Sequence, residues 1–257
     1  MVTSMIFFPE KSFYETPASY GLDWEDVQFE TSDHVRLHGW YLRAPREKGV
    51  LLFSHGNAGN ISHRLFKIKG WIDRGFTVFL YDYRGYGQSE GSIKYGDDLL
   101  RDEGAAFRYL AETKHIPIDK VILYGESIGT YPAIRLGNEY KVGAVILEAP
   151  FTSFKDLAGI HYSVLPPFAL NVLLRDFEFS NEAYIHSLKA PVFILHGDKD
   201  EICPYQMGSD LYGKAHEPKE LFTVPNGQHN DLPFMAGDAY WQKPYEFILK
   251  ILDPQGK

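Results

Sequence analysis

Residues 121–129 carry the clearest chemical signature in this chain. The apolar run Val121–Tyr124 predicts a buried strand, and it leads into Gly125-Glu126-Ser127-Ile128-Gly129, which a helical pattern follows. This is the G-x-S-x-G motif in a strand, turn and helix context, in which a serine projects from a sharp turn. A β-carbon at either glycine would crowd that turn. Ser127 is therefore a candidate nucleophile.

A nucleophilic serine requires two partners that should lie later in the chain. The hydroxyl is a poor nucleophile at neutral pH, so it needs a general base within hydrogen-bond distance and a carboxylate that orients this base. In this motif order both follow the serine. Among the ten histidines, His229 is the favoured base, because it lies late in the chain in a loop after a strand-like run. His55 and His196 also follow strands, but each is part of a His-Gly dipeptide and favours a structural role.

The acid should come from the Asp-Lys-Asp-Glu segment that follows the strand-like run 192–195. Asp200 is preferred, since it lies far enough beyond the strand to reach a histidine on the neighbouring loop. Asp198 could instead brace the turn, and Glu201 is the remaining alternative in this segment. Glu148 also ends a strand and is a further candidate, although it could simply hold the loop that follows.

The developing oxyanion needs hydrogen-bond donors near the serine. The backbone N–H of Ile128, directly after the nucleophile, is one expected donor, and a loop after an earlier strand should supply the other. We choose the backbone N–H of Asn57, which directly follows His55-Gly56. The side chain of Asn57 could add a donor or could only shape the loop.

The elements that must position these residues alternate between strand-like and helix-like patterns, which indicates an α/β fold with a mainly parallel sheet. Two runs separated by a short turn predict an antiparallel hairpin at one sheet edge. Catalytic groups collect at the carboxyl ends of strands in such sheets, so we expect the serine, the acid and the histidine to converge. The predicted strands are Val27–Glu30, Val35–Leu42, Val50–Ser54, Thr77–Tyr83, Val121–Tyr124, Ala144–Leu147, Val192–Leu195 and Leu221–Val224.

Apolar residues at helical spacing predict helices around 61–72, 97–115 and 241–252. In the second of these, the periodicity places Asp102 and Glu103 on the solvent side.

Residues 151–184 are rich in apolar side chains and too long for a bare connection. Because Pro166-Pro167 interrupts any single helix, we expect a small cap of one or two helices over the site, with ordinary core packing as the alternative. No repeat or linker appears in the sequence, so we expect one domain over residues 1–257, with the cap as an insertion.

Composition limits the functional classes. The 257 residues are 44% hydrophobic and 23% charged, which suits a globular core, and the net charge of −8 without a basic run argues against nucleic acid as a partner. The single cysteine, Cys203, allows no internal disulfide and no cysteine metal cluster. Neither a metal-ligand spacing nor a nucleotide-binding loop occurs, so we expect no cofactor and no metal.

The sequence also bears on localisation. No stretch approaches the ~20 apolar residues of a membrane span, and the N-terminal residues lack the pattern of a signal peptide. We therefore expect a cytoplasmic protein, which would be membrane-associated if an N-terminal anchor has been removed. Peripheral contact with a membrane stays open.

Several motifs together resemble the α/β-hydrolase superfamily, and most closely the Bem46-like hydrolases, which are similar to the α/β-hydrolase-domain depalmitoylases. The resemblance extends from about residue 25 to the C-terminus. It implies an eight-stranded sheet whose second strand is antiparallel, with Ser127 as nucleophile, Asp200 as acid and His229 as base. Members of this group often carry an N-terminal membrane anchor. The motifs are His55-Gly56-Asn57-Ala58-Gly59, Tyr81-Asp82-Tyr83-Arg84-Gly85-Tyr86-Gly87, Gly125-Glu126-Ser127-Ile128-Gly129, His196-Gly197-Asp198-Lys199-Asp200 and Gly227-Gln228-His229-Asn230-Asp231.

We therefore expect a serine hydrolase that cleaves a small-molecule carboxylic ester or thioester through an acyl-enzyme intermediate. The apolar cap favours medium-length acyl groups. A peptidase or amidase that uses the same triad is the alternative. A non-catalytic binding or scaffold protein is disfavoured, because all three triad positions are filled.

Overall fold

An eight-stranded sheet forms the centre of the computed structural model, which describes residues 6–162 and 166–252. Residues 1–5 of the N-terminal stretch and residues 163–165 of the predicted cap lie outside the described residues. The strands in chain order are β1 (Asp23–Glu30), β2 (Arg36–Arg43), β3 (Gly49–Ser54), β4 (Phe76–Tyr81), β5 (Val121–Glu126), β6 (Ala144–Glu148), β7 (Val192–Gly197) and β8 (Lys219–Val224).

The order across the sheet is β8-β7-β6-β5-β3-β4-β2-β1. Strand β2 is antiparallel to both of its neighbours, β1 and β4, and the other pairings are parallel. The predicted mainly parallel α/β sheet with an antiparallel second strand is therefore confirmed. Every residue of the central strands β3, β4, β5 and β7 is buried, as uninterrupted apolar runs predict for strands that are covered on both faces.

Helices cover both faces of the sheet. Helices α1 and α9 pack against one face, whereas α2, α3 and α7 pack against the other. In the part of the chain that is described, no helix is both long and apolar enough to cross a membrane. The helices are α1 (Leu65–Asp73), α2 (Gly96–Arg108), α3 (Thr130–Glu139), α4 (Phe154–His161), α5 (Pro167–Leu174), α6 (Glu182–Ile185), α7 (Tyr205–Lys214), α8 (Leu232–Ala236) and α9 (Ala239–Leu252). Short 3-10 turns span Pro17–Tyr20, Ile61–Arg64, Ile118–Lys120 and Ser127–Gly129, and a π-turn spans Tyr109–Thr113.

Helices α4 and α5 lie within the segment 151–184 that the sequence predicts as a cap, and α6 begins at the end of that segment. Helix α4 begins where the side chain of Ser153 accepts a hydrogen bond from the backbone N–H of Asp156, at 3.0 Å. Helices α4 and α5 pack together through Ala158, Leu170 and Leu174, which are buried. A separate small apolar cluster thus forms beside the main core.

An N-terminal segment lies beside the predicted oxyanion loop and pairs with residues of that loop. The sequence did not indicate this pairing. Residues Phe8–Pro9 of this segment pair in parallel with Ala58–Gly59. The side-chain amide of Asn60 then donates hydrogen bonds to the carbonyl oxygens of Glu10 and Ser12, at 3.1 and 2.7 Å. This segment is therefore attached to the residues that follow β3.

The prediction that Asp102 and Glu103 face solvent is wrong, because both side chains are buried. Asp102 accepts hydrogen bonds from the backbone N–H and the Nε of Arg84, both at 2.8 Å. Glu103 accepts one from the hydroxyl of Ser54, at 2.7 Å. Helical periodicity assigns charged residues to solvent, but here partners from distant parts of the chain satisfy them inside the protein.

Burial has a marked electrostatic effect on Glu103. Desolvation raises the pKa of its carboxyl from 4.5 to about 8, although the hydrogen bonds from Ser54 and Tyr81 oppose the shift. At neutral pH the folded protein therefore holds a proton on Glu103 that the unfolded chain releases.

This proton makes stability depend on pH. The contribution of Glu103 to the stability of the folded protein is complete below 4.5, the pKa of the carboxyl in the unfolded chain. It is lost as the pH rises to about 8, the pKa of Glu103 in the folded protein. Glutamine has a similar shape and no charge to bury. We therefore expect the free energy of unfolding of Glu103→Gln, relative to that of the parent, to rise by more than about 1 kcal/mol when the pH is raised from about 5 to about 9. Urea denaturation at each pH measures this difference.

The matched control is Glu139→Gln, at an exposed position at the end of α3. Its difference from the parent should stay constant over the same pH range. A constant difference for Glu103→Gln as well would contradict a protonated buried carboxyl.

Candidate active site

Ser127 lies at the carboxyl end of β5, at the first position of the 3-10 turn that leads into α3. Its φ angle is +52°, in the left-handed region that residues other than glycine seldom adopt. The hydroxyl of Thr130 donates a hydrogen bond of 2.6 Å to the carbonyl oxygen of Ser127. In turn, the buried side chain of Asn181 donates to the hydroxyl of Thr130, at 2.8 Å. The strained turn is thus held by neighbours that fix its backbone.

The two glycines of the motif permit this turn, as the sequence motif predicts. A β-carbon at Gly125 would lie 2.6 Å from the Cα of Thr130. One at Gly129 would collide with the carbonyl oxygen of Ser54, and would lie 2.7 Å from its carbonyl carbon. Because the colliding atoms belong to the backbone, a side-chain rearrangement cannot relieve either contact.

The structure brings Ser127, His229 and Asp200 together. The Nε2 of His229 lies 3.0 Å from the Oγ of Ser127, and its Nδ1 lies 2.7 Å from an Oδ of Asp200. Asp200 follows β7 and His229 follows β8, and these neighbouring parallel strands end at the same edge of the sheet as β5. A serine hydroxyl, an imidazole and a carboxylate therefore form one continuous chain of contacts.

The carboxylate of Asp200 is fixed by several donors. One oxygen accepts hydrogen bonds from the backbone N–H groups of Ile202 and Cys203, at 2.9 and 2.8 Å. The other oxygen contacts His229 and lies 3.2 Å from the Nε2 of His196. Burial would raise the pKa of Asp200, but the hydrogen bonds from His196, His229 and the backbone outweigh it and lower this pKa to about 2. The group is thus an oriented anion at neutral pH.

The other two carboxylates of this segment are placed elsewhere. Asp198 accepts a hydrogen bond from the backbone N–H of Asn226, at 2.7 Å, and so joins the loop after β7 to the turn after β8. Glu201 is exposed. Of the three acids in this segment, Asp200 is the one that contacts His229.

The other two histidines that follow strands are buried and bonded to backbone carbonyl groups. The Nδ1 of His55 lies 2.7 Å from the carbonyl oxygen of Gly56, and burial lowers the pKa of His55 to about 3. The Nε2 of His196 lies 2.7 Å from the carbonyl oxygen of Cys203. Gly208 makes room for the His196 ring, since a β-carbon there would overlap it. His55 thus shapes the loop after β3, and His196 supports the segment that contains Asp200.

Asn57 and Ile128 both line the cavity beside Ser127. The hydroxyl of Tyr86 donates hydrogen bonds to the carbonyl and side-chain oxygens of Asn57, at 2.7 and 3.1 Å. Its side-chain nitrogen donates to the carbonyl oxygen of Ile6. Of the two roles that the sequence left open for this side chain, the contacts favour shaping of the loop.

A buried group of charges lies next to the serine turn and was not foreseen from the sequence. Glu126, the residue before Ser127, is 3.2 Å from both the guanidinium of Arg64 and the ammonium of Lys67. Burial would raise the pKa of Glu126, but the charges of Arg64 and Lys67 hold it well below its usual range. The cations come from residues about sixty positions earlier, and no spacing in the sequence links them to Glu126.

Glu148 completes this group rather than contacting the histidine. Its carboxylate accepts hydrogen bonds from Lys67 at 2.8 Å, and from the hydroxyls of Tyr124 and Tyr240 at 2.8 and 2.7 Å. Two cations and two carboxylates therefore balance inside the protein. This neutral arrangement avoids the cost of an unpaired buried charge.

The cavity around Ser127 has a volume of about 400 Å³, within the range of small-molecule sites. Its polar lining lies around Ser127, His229 and the charged group. Its apolar lining comes from the N-terminal segment, from helices α4 and α5, and from the loop after β7. Such a cavity can receive an apolar group attached to a polar reacting centre. Over the described residues, no group of three or more His, Cys, Asp or Glu side chains is placed to hold a metal ion.

Comparisons with known proteins agree with this fold. The model of the α/β-hydrolase family described as serine aminopeptidase, S33, matches residues 45–181. The α/β-hydrolase domain-containing protein WAV2 of Arabidopsis thaliana is 34% identical over 265 residues, covering 96% of this chain and 85% of WAV2. Protein bem46 of Schizosaccharomyces pombe is 33% identical over 245 residues, covering 91% of this chain and 79% of bem46. The solved structure of the Pyrococcus furiosus esterase PF2001 has a TM-score of 0.78 at 22% identity, covers 95% of this chain and 97% of that one, and is similar in fold.

The glycine contacts lead to a stability prediction. We expect Gly129→Ala to lower the free energy of unfolding by more than about 3 kcal/mol, or to prevent folding, because its β-carbon meets backbone atoms of Ser54. Urea denaturation measures the effect.

The control is Gly213→Ala, in helix α7, where a β-carbon would meet nothing within 4 Å. This variant should be as stable as the parent, or more stable by up to about 1 kcal/mol, because alanine favours helix. Equal stabilities of the two variants would contradict the close packing of the serine turn.

Proposed function

This chain belongs to the α/β-hydrolase family described as serine aminopeptidase, S33, and to its Bem46-like group, and from that premise we propose that it is a serine hydrolase of carboxylic esters or thioesters. The observation that most supports the proposal is the chain of contacts from Ser127 through His229 to Asp200, at 3.0 and 2.7 Å. A base must lie within hydrogen-bond distance of the proton that it removes, and these distances meet that requirement.

In the proposed first step, the Oγ of Ser127 attacks the acyl carbon while the Nε2 of His229 takes the hydroxyl proton. Asp200, with its low pKa, stays ionised, keeps the other proton on Nδ1 and stabilises the imidazolium. The backbone N–H groups of Ile128 and Asn57 bind the negative acyl oxygen. The bond from the acyl carbon to the alcohol oxygen or thiol sulfur then breaks, and His229 returns its proton to the leaving group.

The acyl-enzyme is then hydrolysed with the help of the same residues. His229 removes a proton from water, and the hydroxide attacks the acyl carbon that is bound to Ser127. The bond to Ser127 breaks, the serine oxygen regains the proton from His229, and the carboxylic acid leaves. No group outside the protein and water is required.

This mechanism makes Ser127 indispensable. We expect Ser127→Ala to lower kcat/KM for p-nitrophenyl acyl esters by about 10³-fold or more, with a remainder due to the oxyanion donors and to substrate binding. A fluorophosphonate probe should label the parent protein and not the variant.

The matched control is Ser187→Ala, at an exposed position away from the cavity, which should retain parental turnover and labelling. Parental turnover in Ser127→Ala would contradict the assignment of the nucleophile. A folded parent protein that the probe does not label would instead favour the non-catalytic alternative.

The description of the matching family also favours a second candidate, an aminopeptidase. Such an enzyme must hold the free ammonium group of a peptide, and a carboxylate is the usual partner for that charge. Among the described residues that line the cavity, Glu126 supplies the one carboxylate, and Arg64 and Lys67 already neutralise it. Recognition of an ammonium group would therefore have to break a buried ion pair.

We accordingly expect esters to be better substrates than amides. The kcat/KM for p-nitrophenyl octanoate should exceed that for leucine p-nitroanilide by at least about 10³-fold, since the anilide needs both a harder bond cleavage and an ammonium site. Comparable or faster cleavage of the anilide would favour the aminopeptidase.

A further inference from the structure

The N-terminal segment Ile6–Pro9 forms one wall of the cavity that contains Ser127. The side chains of Ile6 and Phe8 line this cavity. Between them, Phe7 is buried and packs against the rings of Phe177 and Phe179, with centroid distances of 5.5 and 6.4 Å. Alternate residues thus face the cavity and the protein, as in a strand.

One side of this wall is attached to the loop that carries the proposed oxyanion donor. The side-chain nitrogen of Asn57 donates to the carbonyl oxygen of Ile6, and Phe8–Pro9 pair with Ala58–Gly59 directly after Asn57. The backbone N–H of Glu10 continues the pairing with a bond of 3.0 Å to the carbonyl oxygen of Gly59. Ile6 is therefore held at a defined position relative to the reacting centre.

The other side of the wall contacts the helices α4 and α5. Ile6 packs against the small apolar cluster of Ala158, Leu170 and Leu174, which also contains Phe154. Ile6 is itself only half buried, so part of its surface remains open to the cavity. It closes the space between the oxyanion loop and the two helices.

The three substituents of the acyl carbon indicate which part of a substrate would meet Ile6. The carbonyl oxygen points to the donors on Asn57 and Ile128. The leaving group must lie near His229, which returns its proton. We expect the acyl chain to take the remaining direction, towards the apolar lining to which α4, α5 and Ile6 contribute.

We propose that Ile6 is a specificity-determining residue that limits the length of the acyl chain. The inference rests on the proposed function, since it takes the reacting group to be an acyl ester bound at Ser127. Each methylene that a hydrophobic pocket admits or excludes changes the specificity by about 10- to 200-fold, so one side chain at the end of the pocket can set the preferred length.

The test measures kcat/KM for p-nitrophenyl esters from acetate to dodecanoate. Ile6→Trp adds volume at the wall and should lower the ratio of the decanoate to the acetate value by about tenfold or more. Ile6→Ala removes volume and should raise that ratio and move the optimum to a longer chain. The two opposite directions separate an effect on the pocket from a general loss of structure.

Tyr14→Ala is the matched control. Tyr14 follows the N-terminal segment Ile6–Pro9 in the chain, and its side chain is 77% exposed and stacks on His63 outside the cavity. This variant should keep the parental chain-length profile. The same shift in Tyr14→Ala as in Ile6→Ala would mean that loosening of the N-terminal residues causes it, and would overturn the role of Ile6.

A second series, acetate esters of progressively longer alcohols, tests whether Ile6 contacts the acyl part or the alcohol part of the substrate. The Ile6 variants should leave the preference in this series unchanged. A shift in this series instead of the acyl series, or an unaltered profile in both Ile6 variants, would overturn the proposal while the hydrolase function stands. If the parent protein hydrolyses no ester of either series and the fluorophosphonate probe does not label Ser127, the proposed function fails, and the inference fails with it.

Discussion

The site depends on the contact between the serine turn and the neighbouring strand β3. Gly129 lies so close to the carbonyl group of Ser54 that no side chain fits between them, and this contact holds Ser127 at a φ of +52°. The same approach brings the turn next to the loop that follows β3, which carries Asn57. This backbone contact therefore places the turn of the proposed nucleophile next to the loop that would stabilise the oxyanion. Because this contact leaves the backbone of Ser127 little freedom, the serine hydroxyl is held within hydrogen-bond distance of His229.

The site also depends on the balance of the buried charges next to the serine turn. Glu126 and Glu148 are buried beside Ser127, and either carboxylate alone would be costly in this environment. Arg64 and Lys67 compensate both charges, so the polar end of the cavity carries no excess charge apart from that of Asp200, which the histidines and backbone N–H groups satisfy. This balance agrees with the proposed neutral ester substrate, because a charged substrate would find its potential partners already occupied.

Sequence patterns predicted those parts of the molecule that depend on local order along the chain. Ser127 and His229 each follow a strand, and the ends of parallel strands meet at one edge, so their proximity could be anticipated before any distance was known. The burial of Asp102 could not be predicted in this way. Its partner Arg84 lies in a loop eighteen residues earlier, and helical periodicity carries no information about that contact. The wall around Ile6 was missed for a related reason: a two-residue strand has no periodicity to recognise.

The origin of the cavity lining bears on how substrate preference can vary in this fold. Ser127, Asp200 and His229 come from the ends of sheet strands, which the core holds rigidly, whereas the apolar lining comes from the N-terminal segment and from helices α4 and α5. Substitutions in that lining can change the shape of the pocket without disturbing the strand ends. The hydrogen bond from Asn57 to Ile6 is one contact between these two parts, because it joins the loop beside the reacting centre to a residue of the wall. A change in the wall can therefore reach the reacting centre through the position of Asn57 as well as through the space that it opens or fills.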